Sequence, residues 1–299
     1  MTPHAASPRQ TLSYLRNLFE GRGIQPKSKM GQSFLIDLNL LELLLRSAEL
    51  AREDLVLEVG SGTGNLTARL AEQAGHVLAV ELDPAFYSLT GEAVAGRENV
   101  TRIHGDILKG KNELNPGVVA TLDRLLRESG CRQLKLVANL PYAVATPVIA
   151  NFLLSDLSFE RMVVMLQWEI AERLSARPGT KAYAALAVLV QSVADVEVIR
   201  RLPPAAFWPR PQVASAIVCI RPNAAKRAHV GDVTRFRHFL RDLYVHRRKN
   251  LRGALASLPS GRREKEEVDR KLAELGLEGT ARAETLDLEQ HLRLCEAFR

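Results

Sequence analysis

The sequence predicts an α/β fold in two parts: a mostly parallel sheet that ends in an antiparallel strand pair, and a small all-helical C-terminal domain. From Asp37 to about residue 222, short apolar runs alternate with helical patterns, which is typical of a parallel sheet with helices on both faces. Beyond that point only helical periodicity remains. Of the 299 residues, 46% are hydrophobic and 25% are charged, a composition that allows a sizeable core and excludes a disordered or fibrous chain.

The strands predicted in the parallel part of the sheet are Leu55–Val59, His76–Glu81, Val100–His104, Leu134–Asn139 and Arg161–Leu166. Helices are predicted at Asp37–Ala51, Leu66–Gln73, Thr146–Leu154 and Tyr183–Val193. The antiparallel pair is Asp195–Arg201 and Ser215–Ile220, joined by the proline-rich connection Pro203–Pro211. We therefore predict a basic N-terminal arm over residues 1–30, a sheet domain over 31–222 and a helical domain over 223–299, with Pro222–Gly231 as a linker.

Positive charge is concentrated in one segment of the chain. There are 41 Lys and Arg against 34 Asp and Glu, a net charge of +7. Lys226–Arg252 alone holds nine basic and two acidic side chains, so it accounts for that whole excess. This composition favours a phosphate-rich partner, because each neutralised phosphate releases counterions, although a solvated helix face has the same pattern. We predict a helix here with one packed face and one basic face.

Cysteine and histidine usage argues against disulfides and metals. The three cysteines lie far apart without a Cys-x-x-Cys pair, and the seven histidines show no ligand spacing. We therefore expect no metal site and a location in the reducing cytoplasm. The longest apolar runs, such as Ala182–Val190, are far shorter than the roughly 20 residues of a membrane-spanning helix. The chain is expected to be a monomer without membrane contact.

A glycine-rich turn follows the first buried strand. Gly60 and Gly62 let the backbone turn sharply and approach a bound nucleoside. Glu81 ends the next strand, where a carboxylate can accept both hydroxyls of an adenosine ribose. Turn and acid together fit NAD, FAD or S-adenosylmethionine, but the E-x-G-x-G-x-G spacing favours S-adenosylmethionine, which has no pyrophosphate. Asp106 and Ile107, after the third strand, are then placed to bind the adenine, although Asp106 alone is equally a turn residue.

Asn139-Leu140-Pro141-Tyr142, at the end of the fourth strand, is similar to the (N/D/S)-(I/L/P)-P-(Y/F/W) signature of methyltransferases that act on exocyclic amino nitrogens. The Asn139 side-chain oxygen and the Leu140 carbonyl can accept the amino hydrogens of adenine and favour a tetrahedral nitrogen. Pro141 stiffens the turn, and an extruded base can stack on Tyr142. Positioning then supplies most of the catalysis. Phe207 is the candidate for closing over the other face of the base, although core packing explains it equally well.

Together these motifs resemble the KsgA/RsmA family of small-subunit rRNA adenine dimethyltransferases, over about residues 24–256. The resemblance extends to the segments Gly31–Asp37, Met165–Gln167, Lys181–Tyr183, Phe207–Ser215 and Arg247–Lys249. It implies a Rossmann-like S-adenosylmethionine-dependent methyltransferase domain followed by a small helical domain. The implied substrate is small-subunit (16S) rRNA within an immature ribosomal particle, dimethylated on N6 of two adjacent adenosines of its 3′-terminal hairpin. The implied cofactor contacts are Ser33, Leu35, Gly60, Glu81, Asp106 and Asn139, and we expect RNA contacts at Arg247, Arg248 and Lys249.

The sequence departs from the family pattern at several places. Ser33 stands where Asn is usual, so a shorter side chain holds the methionine end of the cofactor. Trp168 replaces the usual Lys and removes a charge that can face RNA. The signature is followed by Ala143-Val144-Ala145 instead of a polar run, and Lys109–Gln133 is long enough for an added helix. None of these changes touches the transfer chemistry, but Trp168 and the long stretch leave the RNA contacts open.

Three alternatives remain at this level. The macrolide-resistance relatives, which dimethylate large-subunit rRNA, share the pocket, but Ile is usual in them where this chain has Leu140. A DNA adenine methyltransferase more often has a Pro-Pro-Tyr core and a longer recognition domain. A non-catalytic RNA-binding assembly factor or transcription accessory on the same fold is disfavoured by the complete cofactor and base motifs.

Overall fold

The computed structural model describes residues 10–26, 31–111, 113–259 and 261–298, so Arg9, Lys27 and Lys29 of the predicted basic arm lie outside the described residues. The chain divides into two compact units, one within Met1–Trp168 and Glu197–Arg221 and the other within Glu169–Val196 and Pro222–Arg299. The predicted domain ranges stay a prediction.

The strands are β1 (Phe34–Leu35), β2 (Asp54–Val59), β3 (His76–Glu81), β4 (Val100–His104), β5 (Leu108–Gly110), β6 (Glu113–Leu114), β7 (Gln133–Asn139), β8 (Phe159–Gln167), β9 (Ala194–Leu202), β10 (Phe207–Trp208) and β11 (Ser215–Pro222). Seven of them form one sheet in the order β4-β3-β2-β7-β8-β11-β9. Neighbours from β4 to β8 are parallel, and β11 runs antiparallel to β8. The short pairs β1–β10 and β5–β6 stand apart from this sheet. The predicted α/β class is confirmed, and each predicted sheet strand lies within two residues of its observed bounds.

The helices are α1 (Leu12–Arg22), α2 (Leu38–Ala48), α3 (Asn65–Gln73), α4 (Pro84–Ala93), α5 (Pro116–Glu128), α6 (Ala145–Leu154), α7 (Trp168–Leu174), α8 (Ala185–Gln191), α9 (Ala224–Val230), α10 (Val233–Tyr244), α11 (Leu251–Ala256), α12 (Lys265–Glu274) and α13 (Leu288–Ala297). The long stretch Lys109–Gln133 contains α5, as predicted, and Asn115 caps this helix with its side chain.

Two predictions for the basic segment are wrong. Pro222–Gly231 is not a linker, because α9 fills most of it and the Asn223 side chain caps that helix. Lys226–Arg252 is not one continuous helix either. Gly231 has a φ of 70°, and the Asp232 side chain caps a new helix, α10. Residues 245–250 then form an exposed turn before α11. Cap residues inside a basic, amphipathic stretch therefore divide it into three helices.

The centre of the sheet is buried on both faces, as is typical of parallel strands. All six residues of β2 are buried, and β7 is buried from Leu134 to Ala138. Such strands are rigid, so the residues at their carboxyl ends occupy fixed positions along one edge of the sheet. Glu81 ends β3 and Asn139 ends β7, which places both predicted site residues at that edge.

Part of the predicted N-terminal arm is the ordered helix α1. It begins after the cap residue Thr11 and buries Leu15 and Phe19. The Phe19 ring packs edge-on against Phe34 and Phe86, with centroids 5.3 and 5.7 Å away. This aromatic cluster holds α1 against Phe34, whose ring lies beside Gly62 of the glycine-rich turn.

Candidate active site

The site is a cavity of about 320 Å³ in the first unit, at the carboxyl ends of β2, β3 and β7. A cavity of this size can hold a nucleoside cofactor. Its lining contains nearly all of the predicted cofactor and base residues: Ser33, Leu35, Gly60, Gly62, Glu81, Asp106, Ile107, Asn139, Leu140, Pro141 and Tyr142. The structure thus brings together residues that are more than 100 positions apart in sequence.

The glycine-rich turn packs directly against the predicted base-binding motif. Gly60 has a φ of 78°, a conformation that favours glycine, and its N–H donates to the Val80 carbonyl at 2.8 Å. A Cβ at this position would lie 2.9 Å from Cγ of Pro141. The cofactor turn and the base motif are therefore in van der Waals contact, and a side chain at residue 60 would push them apart.

Glu81 is held in place by backbone donors. Its Oε2 accepts from the Gly62 N–H at 2.8 Å and its Oε1 from the Asp83 N–H at 3.0 Å. Burial raises the pKa of Glu81, and these backbone hydrogen bonds oppose that rise. Each carboxylate oxygen keeps a further lone pair, so the group can accept two ribose hydroxyls while it stays anchored.

Asp106 lies exposed at the rim of the cavity, and Ile107 is buried beside it. The Asp106 Oδ1 accepts from the Leu108 N–H at 2.9 Å, and its carbonyl accepts from Nδ2 of Asn115 at 2.9 Å. Asp106 therefore has the turn role that its residue type allows. Its second carboxylate oxygen remains available to a ligand at the rim.

The orientation of the Asn139 amide is fixed by its neighbour. Its Nδ2 donates to the backbone carbonyl of Ser33 at 2.9 Å, and because a carbonyl only accepts, the amide cannot be reversed. The Oδ1 atom is then the end left to accept from a substrate. Leu140 donates its N–H to the Met165 carbonyl at 3.1 Å, whereas no described group donates to its own carbonyl. Two acceptors therefore stand side by side, as the signature predicts.

Ser33 serves this site through its backbone and its side chain. While its carbonyl holds Asn139, its Oγ donates to the Pro209 carbonyl at 2.6 Å. The hydroxyl oxygen can still accept, so a contact with the methionine end of a cofactor stays a prediction.

The Tyr142 ring is half-buried in the cavity wall, and its hydroxyl lies 2.7 Å from Oγ of Ser215 on β11. Burial raises the pKa of the Tyr142 hydroxyl, and the hydrogen bond to Ser215 opposes the rise. The hydroxyl is thus a fixed anchor, and the ring face is the part that a base can contact.

The structure does not bring Phe207 to the cavity. Phe207 is 3% exposed, pairs with Leu35 across β1 and β10, and belongs to the core cluster that includes Leu41 and Leu45. The Trp208 ring packs against the Phe19 ring instead, with the two ring centroids 5.4 Å apart. The proline-rich connection therefore contributes to core packing, which is the alternative that the sequence left open for Phe207.

Sequence reasoning missed Gln10, which lines the cavity from the N-terminal arm. Its Nε2 donates to the Thr63 carbonyl at 3.3 Å, and its Oε1 accepts from the Thr63 hydroxyl. Gln10 thus holds the glycine-rich turn from outside. No local pattern marks this contact, because 53 residues separate the partners.

Two buried acceptors in the cavity wall have no hydrogen-bond donor among the described residues: Oε2 of Glu58 and Oδ1 of Asn65. Glu58 is the acid of the E-x-G-x-G-x-G turn, a position that could have marked it as a site residue. Burial and then the charge of Glu81 raise its pKa to about 8. Unpaired buried acceptors are costly and point to a missing hydrogen-bond donor. S-adenosylmethionine, whose ribose hydroxyls and amino groups can donate, fits this lining.

The predicted RNA contacts lie in the turn 245–250 of the second unit. Arg247 donates from Nε to Glu284 at 2.9 Å and from a terminal nitrogen to the Lys181 carbonyl. Lys249 donates to Oγ of Ser257 at 3.2 Å. Arg248 is exposed and has no partner among the described residues. The three basic residues are therefore not equivalent, and Arg248 is the one most available to a phosphate.

The described residues contain no helix suited to spanning a membrane and no group of three or more His, Cys, Asp or Glu arranged to hold a metal. The three cysteines are free and buried.

A mostly parallel sheet with a glycine-rich turn after β2, an acid at the end of β3 and the signature Asn-Leu-Pro-Tyr after β7 defines a Rossmann-like methyltransferase. Residues 23–298 match the ribosomal RNA adenine dimethylase family. The chain is 37% identical to the ribosomal RNA small subunit methyltransferase A of Ligilactobacillus salivarius over 299 residues, with 99% of this chain and 96% of the relative covered. It is 38% identical to that of Pelotomaculum thermopropionicum, with 95% of each covered. The chain belongs to the ribosomal RNA adenine dimethylase family, which confirms the resemblance seen in its motifs.

Solved structures confirm the fold. A dimethyladenosine transferase from Plasmodium falciparum superimposes with a TM-score of 0.70 and 24% identity, with 87% of this chain and 95% of that chain covered. The 23S rRNA methyltransferase ErmE superimposes with a TM-score of 0.62 and 24% identity, with 89% and 99% covered.

Proposed function

We propose that this chain transfers methyl groups from S-adenosylmethionine to N6 of two adjacent adenosines in the 3′-terminal hairpin of small-subunit rRNA. The substrate class is supported by the curated relatives, which are named small-subunit methyltransferases and are 34–38% identical over at least 93% of this chain. The observation that carries the chemistry is the orientation of the Asn139 amide. Its Nδ2 donates to the Ser33 carbonyl, so Oδ1 and the Leu140 carbonyl are the two acceptors without a described donor.

Cofactor binding in this proposal uses acceptors on three elements. Glu81 accepts the ribose hydroxyls, Asp106 accepts from the adenine amino group at the rim, and Oε2 of Glu58 is a third acceptor in the cavity wall. When bound, S-adenosylmethionine supplies an activated methyl group on its sulfonium. The protein therefore needs no low-pKa nucleophile, and its contribution is to orient the target amine.

The target adenine must leave its stack to enter this cavity. The Tyr142 ring, anchored by Ser215, then replaces part of the lost stacking, worth roughly 1–3 kcal/mol per base. Oδ1 of Asn139 and the Leu140 carbonyl accept the two amino hydrogens and turn the nitrogen lone pair toward the methyl group. One proton leaves the nitrogen for water after each transfer. The small Ala143 side chain in the cavity wall leaves room for the first methyl during the second transfer.

In the same proposal the chain acts as a cytoplasmic monomer on immature small-subunit particles. The alternative of large-subunit rRNA is tested directly, because the fold is shared with ErmE and does not separate the two.

The experiment is transfer of tritiated methyl from S-adenosylmethionine to purified small-subunit and large-subunit particles that lack the modification, followed by nucleoside analysis. We expect dimethyladenosine in the small-subunit rRNA only. Asn139→Ala, which is expected to be about 100-fold slower or more, serves as the control for contaminating enzymes. Label in large-subunit rRNA alone, or no label in either particle, would overturn the proposal.

A further inference from the structure

We infer that Arg201, stacked on Trp168, binds a backbone phosphate of the substrate RNA beside the target adenosine. This inference rests on the proposed function. The Arg201 guanidinium carbon lies 4.6 Å from the centroid of the Trp168 ring, within the range of a cation–π contact. Arg201 lies on β9 and Trp168 is the first residue of α7, so the contact joins two residues of the first unit that are distant in sequence.

The location of this pair follows from the strand register. Gln167, the last residue of β8, is paired with Ser215, whose Oγ anchors the Tyr142 ring. Trp168 comes next, and its N–H donates to the Ala214 carbonyl at 2.9 Å, so its backbone is fixed one residue beyond that anchor. Met165, in register with Asn139, lines the cavity three residues earlier, roughly 10 Å along the strand. We therefore expect a strand of RNA that delivers a base to Tyr142 to pass near this pair.

The chemistry of the pair suits a phosphate. Arg201 is exposed and forms no ion pair with any carboxylate of the described residues, so its charge is available. Stacking on the half-buried Trp168 holds the guanidinium plane in one orientation and leaves the N–H groups at its edge free. A pre-oriented guanidinium can donate two parallel hydrogen bonds to one phosphate. Less ordering entropy is then lost on binding than for a free Arg.

Arg200 provides a matched control on the same strand. It is also exposed and basic, but of these two residues only Arg201 has a described contact with the Trp168 ring. A contact that depends only on net charge would respond equally to the loss of either residue, whereas the stacked site responds to Arg201 alone.

The experiment compares the wild type with Arg201→Ala, Trp168→Ala, Trp168→Phe, the double variant Arg201→Ala/Trp168→Ala and Arg200→Ala. The readouts are the KM for unmethylated small-subunit particles, kcat, the affinity for S-adenosylmethionine, and the dependence of particle binding on salt. We expect Arg201→Ala to raise the KM about tenfold and to reduce the salt slope by about one, with kcat and cofactor affinity unchanged.

Trp168→Ala is expected to raise the KM in the same way, and the double variant to be no worse than either single one, because Trp168 acts through Arg201. Trp168→Phe keeps an aromatic face and should retain most of the affinity, which separates loss of stacking from loss of folding. A wild type that transfers no methyl to the particles would overturn the proposed function and this inference with it. Normal transfer by the wild type with an unchanged KM for Arg201→Ala, or an equal rise for Arg200→Ala, would overturn this inference alone.

Discussion

The hydroxyl of Tyr142 lies 2.7 Å from Oγ of Ser215, a hydrogen bond that joins the loop after β7 to the first residue of the antiparallel strand β11. Ser215 is 1% exposed, so its hydroxyl has no water to bond instead. The antiparallel end of the sheet therefore does more than complete the core. It sets the angle of the ring on which the proposed target base stacks.

This contact predicts a graded effect on methyl transfer. Tyr142→Ala removes the stacking surface and should lower the single-turnover rate strongly. Tyr142→Phe and Ser215→Ala each remove only the anchor, so both should cause the same mild loss, and the two changes together should not add. Single-turnover methylation of small-subunit particles measures these rates, with cofactor affinity as the control for folding. Equal rates for Tyr142→Ala and the wild type would contradict a stacking role.

Much of this site could be predicted from the sequence, because its residues lie at or just after the carboxyl ends of the sheet strands. A buried apolar run predicts its own strand, and parallel strands carry their carboxyl ends to one edge. That Glu81, Asp106 and Asn139 line one cavity can therefore be predicted without knowing how the loops fold. The same logic recovers the α/β class and most strand bounds.

The parts that were missed depend on contacts between distant segments. Gln10 reaches Thr63 across 53 residues, and no periodicity marks such a pair. Phe207 lies in the core because β10 pairs with the two-residue strand β1, which is too short to give a sequence pattern. The basic segment was predicted as one helix because the spacing of its basic residues carries no information on helix caps. In the structure, Asp232 and Asn250 each cap the start of a new helix.

Cofactor affinity should depend on both acids at the strand ends. Glu81→Gln and Asp106→Ala each remove a charged acceptor, which should cost about 1.5–3 kcal/mol of binding free energy. Because Glu81 also accepts from Gly62 and Asp83, the Gln variant is preferred to Ala there. Calorimetric titration with S-adenosylmethionine, alongside thermal unfolding of each variant, measures the loss. Unchanged affinity in both folded variants would exclude this binding mode.

The protonation of Glu58 should make stability depend on pH. Its pKa is raised from its ordinary value of 4.5 to about 8, first by burial and then by the charge of Glu81. The folded protein therefore holds a proton that the unfolded chain releases between these two values, so the free energy of unfolding falls as pH rises through this window. Glu58→Gln stays neutral and should reduce this fall by up to a few kcal/mol.

Urea unfolding across the same pH window measures this difference, and Glu53→Gln, a change at an exposed acid, is the matched control. An identical pH dependence in Glu58→Gln and the wild type would show that Glu58 is not protonated in the folded protein.

We predict different roles for two basic residues of the turn 245–250: Arg247 stabilises the second unit, and Arg248 binds RNA. Arg247 pairs with Glu284 and with the Lys181 carbonyl, so Arg247→Ala should lower the stability of the second unit by about 1 kcal/mol or less. Arg248 has no such partner, so Arg248→Ala should leave stability unchanged, weaken binding to small-subunit particles and reduce the salt slope by about one. Particle binding at several salt concentrations and urea unfolding measure the two effects. Unaltered binding by Arg248→Ala would make the turn a solvated surface.

The final prediction concerns the amide of Asn139, the residue that most directly orients the target amine. Asn139→Ala removes one of two acceptors, and loss of one pre-oriented hydrogen-bonding group at a reacting centre costs about 100-fold or more in rate. Ser33→Ala is the matched control, since the Asn139 Nδ2 donates to the backbone carbonyl of Ser33, which any residue supplies. Ser33→Ala loses the bond from Oγ to Pro209 and the predicted side-chain contact with the cofactor, so its transfer rate should stay near normal when S-adenosylmethionine is saturating.

Asn139→Asp tests the acceptor role of Oδ1 separately from the hydrogen bond that Nδ2 donates to the Ser33 carbonyl. An aspartate keeps an oxygen toward the amine, but its other oxygen would face the Ser33 carbonyl, where the native amide donates a proton. We therefore expect a transfer rate between those of Asn139→Ala and the wild type, because the acceptor is present and poorly oriented. Single-turnover methylation, with monomethyladenosine and dimethyladenosine quantified separately, measures both transfers. Near-normal rates for both steps in Asn139→Ala would mean that the Leu140 carbonyl alone orients the amine.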